Sequence, residues 1–312
     1  MKTLYLLDAY ALIFRAYYAL IRAPRINSKG ENTSAIFGFI NTLEDILKSM
    51  NPDYIAIAFD PAGPTFRHEV YPEYKAQREA TPEDIRRSVP IIKEVIRAYN
   101  IPILEVMGYE ADDVVGTLAK KAEKMDVLTY MMTPDKDYGQ LVSDKTFIYR
   151  PKYGDKEFEI MNPQRVTEKF GLQRTEQVID LLGLMGDSSD NIPGCPGVGE
   201  KTAAKLIQQF GSIEELLQRT GELKGALKQK IEDNTEQIRT SKWLATIKTD
   251  VPIELHMDSL KMQPPNEEAL QALFEELEFR TLMRRKQFAK ETPLPSPKKN
   301  SLQGDLFEGL AA

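Results

Sequence analysis

Short β-rich runs alternate with amphipathic helical stretches through the first half of this 312-residue chain. That alternation is the pattern of an α/β domain with a largely parallel sheet. The expected strands are residues 3–7, 54–59, 102–106 and 128–132, with 147–150 as a weaker fifth. Four of these runs lead directly into acidic residues. Because ligands bind at the carboxyl ends of strands in open α/β sheets, we predict a functional site where these acids meet.

Seven acidic residues follow the predicted strands: Asp8, Asp60, Glu110, Asp112, Asp113, Asp135 and Asp137. The group from Glu110 to Asp113 opens a predicted helix, where acids also favour the helix dipole, so capping explains that group equally well when it is taken alone. Asp135 and Asp137 share a face if the chain is extended there, but such a pair by itself is more typical of a solvated turn.

A third acidic group lies in residues 186–194, where Asp187 and Asp190 are three positions apart and follow a hydrophobic run. The nine carboxylates together would repel one another and raise their pKa values unless cations neutralised them. Oxygen ligands favour Mg²⁺ or Mn²⁺, and so many acids indicate two or more ions. Such a pair of ions can activate water and stabilise a leaving oxygen in phosphodiester cleavage. One cysteine and two histidines cannot build a Cys/His zinc site.

The net charge of −6, from 41 basic and 47 acidic residues, would ordinarily disfavour a nucleic-acid binder. Setting aside the nine clustered carboxylates leaves 41 basic and 38 acidic residues, a balance of +3. The hydrophobic N-terminus is interrupted by Asp8 and Arg15, so we interpret it as a buried strand and a helix, not a signal peptide or membrane span. We expect a cytoplasmic, nucleoid-associated bacterial protein that acts as a monomer.

Residues 61–100 interleave basic and aromatic side chains, which favours a basic helical insertion over the sheet edge. These side chains are Phe66, Arg67, His68, Tyr71, Tyr74, Lys75, Arg78, Arg86 and Arg87. Thr81 is the predicted N-cap of a helix with Pro82 at its first position. Pro90 is expected to kink or divide that helix.

From about Asn162 the chain is predicted to be mainly helical, and it contains a turn suited to phosphate binding. Gly197 and Gly199 would let backbone N–H groups approach a phosphate without reading sequence. Alone this is a tight helix–helix connection, but with Lys201, Thr202 and Lys205 after it and two aspartates before it, it indicates a helix-hairpin-helix. Further on, Gly211 and Ser212 should end one helix and cap the next.

The string over residues 186–199 closely resembles the signature of the structure-specific 5′ nucleases, in particular the N-terminal 5′-to-3′ exonuclease domain of bacterial DNA polymerase I. The resemblance extends through Asp8, Asp60, residues 74–78, 110–113, 135–137 and 244–252, and covers nearly residues 1–290. Small departures, such as Pro134 and Cys195, remove no acidic position.

The resemblance implies a PIN/resolvase-like, mostly parallel sheet domain with a helical arch, followed by an H3TH-type helix-hairpin-helix domain. The implied bounds are 1–165 for the nuclease domain, about 64–100 for its arch, 166–260 for the DNA-binding domain, 261–290 for a helical segment packing on the nuclease domain, and 291–312 for a flexible linker. The activity it implies is metal-dependent cleavage of DNA carrying 5′ flaps, nicks or RNA primers.

The resemblance also assigns roles to individual residues. Asp8, Asp60, Glu110, Asp112 and Asp113 would form a first metal site, and Asp135, Asp137, Asp187 and Asp190 a second. Lys75 and Arg78 would contact the scissile phosphate, although without the family match a solvated basic face is the simpler interpretation. Tyr74 would stack on a nearby base, and a K⁺ ion would fit at the helix-hairpin-helix turn.

Three alternatives stay open: a free-standing flap endonuclease, a non-catalytic branched-DNA binding module, and an RNase of the related PIN type. The end of the chain reads as a linker, which favours a fragment of a longer polymerase. Within it, residues 303–307 faintly resemble the motifs by which bacterial replication proteins bind the sliding clamp, although the linker composition alone explains them more simply.

Overall fold

The computed structural model describes residues 1–151 and 158–291. Six strands form one sheet: β1 (Thr3–Asp8), β2 (Tyr54–Ala58), β3 (Ile103–Leu104), β4 (Leu128–Met132), β5 (Thr146–Pro151) and β6 (Phe158–Met161). Their order is β3-β2-β1-β4-β5-β6. The neighbouring strands from β3 to β5 are parallel, and only β6 runs antiparallel, against β5. The predicted mostly parallel α/β sheet is therefore confirmed.

The largest differences from the predicted strands lie at the two sheet edges, and the bounds of β1, β2 and β5 differ by one residue at one or both ends. β3 is only two residues long because it pairs with β2 at two positions, Ile103 with Ile57 and Leu104 with Ala58. The edge strand β6 was not predicted, since four residues give too short a period-two pattern to stand out.

The centre of the sheet lies at β1, which is flanked by β2 and β4. Both faces of its central residues are buried, and a continuous apolar run is what a parallel strand covered on both sides requires. The chain adds β2 and β3 on one side and later returns to add β4 and β5 on the other. The carboxyl ends of β1 and β4 therefore meet at a topological switch point, the usual place for a ligand crevice.

Five helices accompany the sheet: α1 (Ala9–Ala19), α2 (Ser34–Met50), α3 (Phe66–Val70), α4 (Glu83–Ala98) and α5 (Ala111–Lys124). The predicted helical insertion at 64–100 contains α3 and α4, joined by turns over residues 71–82. The prediction for the start of α4 was wrong by one position, because Pro82 is its N-cap. Pro90 was expected to kink or divide this helix, and α4 is not divided, whereas a kink stays a prediction. Pro90 lies on the exposed face, where water can satisfy the carbonyl left without a donor.

The following part of the chain is helical, as predicted. Its helices are α6 (Pro163–Phe170), α7 (Gln177–Met185), α8 (Glu200–Phe210), α9 (Ile213–Gln218), α10 (Gly225–Asp233), α11 (Thr235–Ala245) and α12 (Met257–Leu260). The predicted cap of α9 is confirmed, because the Ser212 side chain accepts a hydrogen bond from the Glu215 N–H at 3.2 Å. Gly183 of α7 lies directly against Lys242 of α11, so only a residue without a side chain fits there.

The chain divides into a large unit, Met1–Asn266, and a small one that begins at Glu267. The described part of the small unit holds α13 (Glu267–Glu276) and α14 (Arg280–Glu291), with Phe274 and Phe279 in ring contact. The predicted domain bounds, and packing of 261–290 on the nuclease domain, stay predictions. The predicted linker beyond residue 291, including 303–307, lies outside the described residues. Among the helices described, none has the length and apolar character needed to cross a bilayer.

Candidate active site

A cavity of about 580 Å³ opens at the carboxyl edge of the sheet, where the sequence places the predicted site. Five of the nine predicted acids line it, together with the two cationic residues that are predicted to contact the scissile phosphate. The charged lining residues from the prediction are Asp8, Asp60, Glu110, Asp112, Asp135, Lys75 and Arg78. The remaining acids, Asp113, Asp137, Asp187 and Asp190, lie behind or beside this set.

Asp8 and Asp60 come from the ends of neighbouring strands. Asp8 is the last residue of β1 and caps α1 by accepting a hydrogen bond from the Ala11 N–H at 3.1 Å. Its other oxygen accepts from the Tyr138 hydroxyl at 3.3 Å. Asp60 follows β2 and accepts from the Ala111 N–H at 2.7 Å. Each carboxylate is thus held by a helix N-terminus, which orients it before any ligand binds.

Glu110 and Asp112 enter the cavity from the start of α5. Glu110 is the N-cap of this helix and forms a reciprocal capping box with Asp113. The helix-capping interpretation of these acids therefore holds for Glu110. Its side chain also faces the basic residues, because the Lys75 ammonium donates a hydrogen bond to it at 2.7 Å. Asp112 accepts a hydrogen bond from the Asp113 N–H at 2.7 Å.

Asp113 has surroundings unlike those of the other acids of this group. It is fully buried, and the Arg67 guanidinium donates to both of its oxygens at 2.8 Å. The N–H groups of Glu110 and Lys248 donate to the same two oxygens at 3.1 and 2.8 Å. Four donors occupy the two oxygens, so this arrangement gives no support to Asp113 as a direct metal ligand.

The second predicted group of acids is held by hydrogen bonds and an ion pair, with Asp135 lining the cavity and the other three beside it. The Asp137 N–H donates to Asp135 at 3.0 Å, and Lys136 forms an ion pair with Asp187 at 2.6 Å. Asp190 accepts from the Tyr74 hydroxyl at 3.0 Å. Of the two conformations considered for Asp135 and Asp137, an extended segment and a turn, the structure has the turn, since Asp137 begins a 3₁₀ helix, Asp137–Leu141. That turn brings Tyr138 beneath Asp8.

Burial dominates the electrostatics of the carboxylates. Burial, and next the charge on Asp60, raise the pKa of Asp8 to about 7. Burial likewise raises the pKa values of Asp60, Asp112, Asp135 and Asp137. Glu110 differs: burial acts in the same upward direction, but the charges of Lys75 and Arg67 outweigh it and hold its pKa below the usual value. A site with several raised carboxyl pKa values is one that a cation would stabilise.

The segment over residues 73–78 lies across the acids. The Arg78 guanidinium pairs with Asp190 and donates to the Ser189 carbonyl at 3.0 Å, and the Lys75 N–H donates to the Asp190 carbonyl at 3.0 Å. Tyr74 is buried, with only 3% of its surface exposed, and its ring is not available for stacking on a base as it stands. Its hydroxyl instead contacts Glu110 and Asp190, both at 3.0 Å.

The donor set fits a divalent cation in the kind of ligand atom that it offers. Only oxygen ligands are offered, and Asp137 Oδ1 is buried without a hydrogen-bond partner, as a ligand atom in need of a cation would be. Within residues 1–151 and 158–291, however, no three acidic, histidine or cysteine side chains converge closely enough to chelate one ion. The basic groups of Lys75, Arg78 and Lys136 meet the carboxylates instead.

The predicted phosphate-binding turn connects to α8. Gly197 has φ of +75°, a conformation that glycine adopts without strain, whereas Gly199 is the extended N-cap of α8. Lys201 and Lys205 are exposed on that helix, and Thr202 is half-buried between them. The amides of the turn and the side chains of Lys201 and Thr202 therefore share the N-terminal end of one helix, and Lys205 follows one turn further along it.

Sequence reasoning missed three residues that contact the acids: Arg67, Lys136 and Tyr138. Lys136 was detectable, since it stands between two predicted ligands. Arg67 was noted only as one of a basic and aromatic series, and nothing local distinguishes a buried guanidinium from a solvated one. Tyr138 follows Asp137 directly, but only the 3₁₀ turn brings its hydroxyl back to Asp8.

Two family models match the chain in succession. The N-terminal resolvase-like domain of the 5′-3′ exonucleases matches residues 3–171, and their C-terminal SAM-fold domain matches residues 173–268. This chain belongs to the 5′-3′ exonuclease family. The predicted resemblance and fold class are thereby confirmed, with the helix-hairpin-helix turn inside the second matched domain.

Curated relatives are DNA polymerases I. The Bacillus subtilis enzyme is 46% identical over 286 residues, which is 91% of this chain but 32% of that protein. The Thermus thermophilus thermostable enzyme is 40% identical over 298 residues, 94% of this chain and 34% of that one. The chain thus spans about a third of the length of the curated relatives it matches, and corresponds to their nuclease part.

Solved structures share the fold at lower identity. The T5 5′-exonuclease with bound zinc ions has a TM-score of 0.68 at 21% identity, covering 89% of this chain and 99% of that one. The catalytic core of Rad2 in complex with DNA substrate has a TM-score of 0.59 at 17% identity, covering 88% and 87%. These likenesses concern the fold alone.

Proposed function

We propose that this chain is a divalent-metal-dependent 5′ nuclease that hydrolyses phosphodiester bonds near the junction of single- and double-stranded DNA, removing 5′ flaps and RNA primers. The observation that carries the proposal is the cavity at the switch point. Carboxylates from β1, β2, α5 and the segment after β4 meet there beneath two basic side chains. A purely structural role would give little reason to gather so many buried acids in one place.

Eight of the nine acids are proposed to hold two or more Mg²⁺ or Mn²⁺ ions. Asp8, Asp60, Glu110 and Asp112 would serve one site, and Asp135, Asp137, Asp187 and Asp190 the other, some of them through water. Asp113 is proposed to position α5 instead, because its two oxygens already accept four hydrogen bonds. Bound ions would supply the Lewis acidity that activates water and stabilises the departing 3′ oxygen.

Lys75 and Arg78 are proposed to bind the scissile phosphate. Their charges now pair with Glu110 and Asp190, at 2.7 Å for Lys75 and Glu110. Cations that enter among the carboxylates would compete with this pairing and leave the ammonium and guanidinium groups for phosphate oxygens. Tyr74 would keep a DNA-binding role only if its ring leaves the core.

The helix-hairpin-helix turn is proposed to bind the duplex backbone. The amides at Gly197 and Gly199 and the cations Lys201 and Lys205 offer contacts to phosphate but no base-specific group, and Thr202 adds a hydroxyl. A K⁺ ion is also proposed at this turn, where it would add positive charge near a bound phosphate. Clamp binding by residues 303–307 and a monomeric state stay proposals for this chain, and polymerase activity is proposed only for a longer polymerase that would contain it.

Cleavage of three labelled substrates tests the proposed function. We expect Mg²⁺-dependent cutting of a 5′-flap duplex near its junction, slower cutting of blunt duplex, and no cutting of single-stranded RNA. Flap binding without cleavage in Mg²⁺ or Mn²⁺ would indicate a binding module, and preferential cleavage of single-stranded RNA would indicate a PIN-type RNase.

A further inference from the structure

Arg67 is a buried charge with an unusually complete set of partners. Only 1% of its surface is exposed, although it belongs to α3 at the base of the basic insertion. Its guanidinium makes the two bonds to Asp113 already described, and it also donates to the main-chain carbonyls of Leu244 at 3.0 Å and Thr246 at 2.9 Å. A buried guanidinium is retained only where nearly every donor is satisfied, so these contacts define its position closely.

The two carbonyls that Arg67 binds belong to the chain that leaves the helical region. Leu244 lies at the end of α11, and Thr246 follows that helix. Residues 246–251 form no helix or strand, so their backbone polar groups need other partners. Buried side chains supply them: Gln140 accepts from the Ile247 N–H at 2.9 Å, Asp113 from Lys248, and Thr117 from the Val251 N–H at 3.1 Å.

Arg67 therefore connects the two parts of the molecule that the proposed reaction needs, the carboxylate cavity and the helices around the duplex-binding turn. On one side it holds Asp113, whose carboxylate fixes the Glu110 N–H at the start of α5. On the other it holds the C-terminal end of α11, a helix whose Ser241 hydroxyl accepts from the Gly194 N–H at 3.0 Å. Gly194 lies between the acidic group of Asp187 and Asp190 and the turn at Gly197.

We infer that Arg67 is a positioning residue that sets the register between the duplex-binding turn and the carboxylate cavity, and so determines which phosphodiester bond reaches the acids. The inference rests on the proposed function. Arg67 does not touch DNA and acts through Asp113 and the carbonyls of Leu244 and Thr246, with a longer contact of 3.5 Å from its guanidinium to the Glu110 carboxylate. A lysine keeps the positive charge but cannot make the paired, planar contacts. It should therefore make the register between turn and cavity less well defined while the buried charge is retained.

The experiment compares Arg67→Lys with the parent chain on a 5′-flap duplex in Mg²⁺, with products resolved at one-nucleotide steps. We expect the single main product of the parent to become a ladder spread over neighbouring positions. We also expect kcat to fall about tenfold while KM and the flap-DNA Kd in Ca²⁺ change less than about threefold, since the binding groups are untouched. A purely structural role would lower the melting temperature without moving the position of the cut.

Asp113→Asn is the second variant, because it weakens the same link from the other side and tests it if Arg67→Lys fails to fold. Changes of residues in one network are not additive, so the double variant should spread the products no further than either single change. Glu123→Gln is the matched control: it removes a hydrogen-bonded acid from the same helix, α5, away from the cavity, and should keep the parent's product.

Folded variants that both cut at the parent's position with the parent's kcat would overturn the inference. So would product spreading by Glu123→Gln equal to that of Arg67→Lys, because loss of stability alone would then explain it. Failure of the parent chain to cleave at all would instead contradict the proposed function, and the same gel distinguishes that outcome.

Discussion

Lys75 combines a strained backbone with a buried contact. Its φ of +58° lies in the left-handed region that a non-glycine residue adopts at a cost. Two interactions hold it there, the bond of its N–H to the Asp190 carbonyl at 3.0 Å and the pair of its ammonium with Glu110 at 2.7 Å. Such strain persists where several surrounding contacts hold a residue in one conformation, and residues of this kind are often functional.

We predict that Lys75→Ala lowers kcat for flap cleavage by about a hundredfold, because a charged contact to the reacting phosphate is lost. The Kd for flap DNA in Ca²⁺ should rise far less, since duplex contacts lie elsewhere. Lys145→Ala is the control: that lysine also forms an ion pair, with Asp126, but at the amino end of β5, opposite the cavity. Equal losses in the two variants, measured by single-turnover kinetics, would refute the role of Lys75.

Glu123 gives a pH-dependent prediction away from the acids of the cavity. Burial acts to raise its pKa, but hydrogen bonds from Ser143 and Thr146, with Lys120, lower it below the usual value. A carboxyl with a depressed folded-state pKa stabilises the protein above its unfolded-state pKa, and that contribution disappears as the pH falls through the folded value. Glu123→Gln should therefore lower the urea midpoint at pH 7 and lower it less at an acidic pH. An equal loss at both pH values would contradict this.

At the scale of elements, α5 shows what local sequence can and cannot specify. The spacing of Glu110 and Asp113 identifies a helix start, and the structure contains the capping box. Local sequence does not show that Asp112 lines the cavity whereas Asp113 is paired behind it. That difference depends on Arg67 of α3, which lies 46 residues before Asp113 in the chain and donates hydrogen bonds to it. The resemblance likewise assigns Tyr74 to DNA, whereas long-range contacts with Glu110 and Asp190 accompany the burial of its ring.

The turn before α8 gives a prediction in which two glycines behave differently. A side chain at Gly197 would be strained by its φ of +75° and would meet Lys230, so Gly197→Ala should destabilise the fold by about 1 kcal/mol. At Gly199 the φ is ordinary and nothing lies within 4 Å of a new Cβ. Gly199→Ala should therefore leave the melting temperature unchanged while weakening duplex binding, as judged by fluorescence anisotropy. Unchanged duplex affinity in Gly199→Ala would contradict close approach of the backbone to phosphate.

The exposed lysines of α8 give a second prediction for this element. Lys201→Ala and Lys205→Ala should each weaken DNA binding regardless of base sequence, and each should lower the slope of log Kd against log salt by about one. Titrations at several salt concentrations with two unrelated duplex sequences provide the measurement. A loss that depended on base sequence would show that this helix reads bases.

At the scale of the whole molecule, the parallel sheet order explains why the sequence was informative. Strands that run the same way place all their carboxyl ends at one edge, so acids far apart in sequence could be assigned to one cavity before any contact was known. The sequence could not predict the route of residues 71–82, the edge strand β6, or the support of residues 246–251 by Gln140 and Thr117. Those features depend on packing between distant parts of the chain, not on local pattern.

The central claim is that the cavity at the switch point performs metal-dependent cleavage, and Asp112→Asn tests it most directly. The change keeps the volume of a side chain that lines the cavity and removes one charge. In Mg²⁺, flap cleavage should fall by several orders of magnitude, while flap binding in Ca²⁺ stays equal or tightens as repulsion from phosphate decreases. Near-parental cleavage by a folded Asp112→Asn protein in Mg²⁺ would contradict the account.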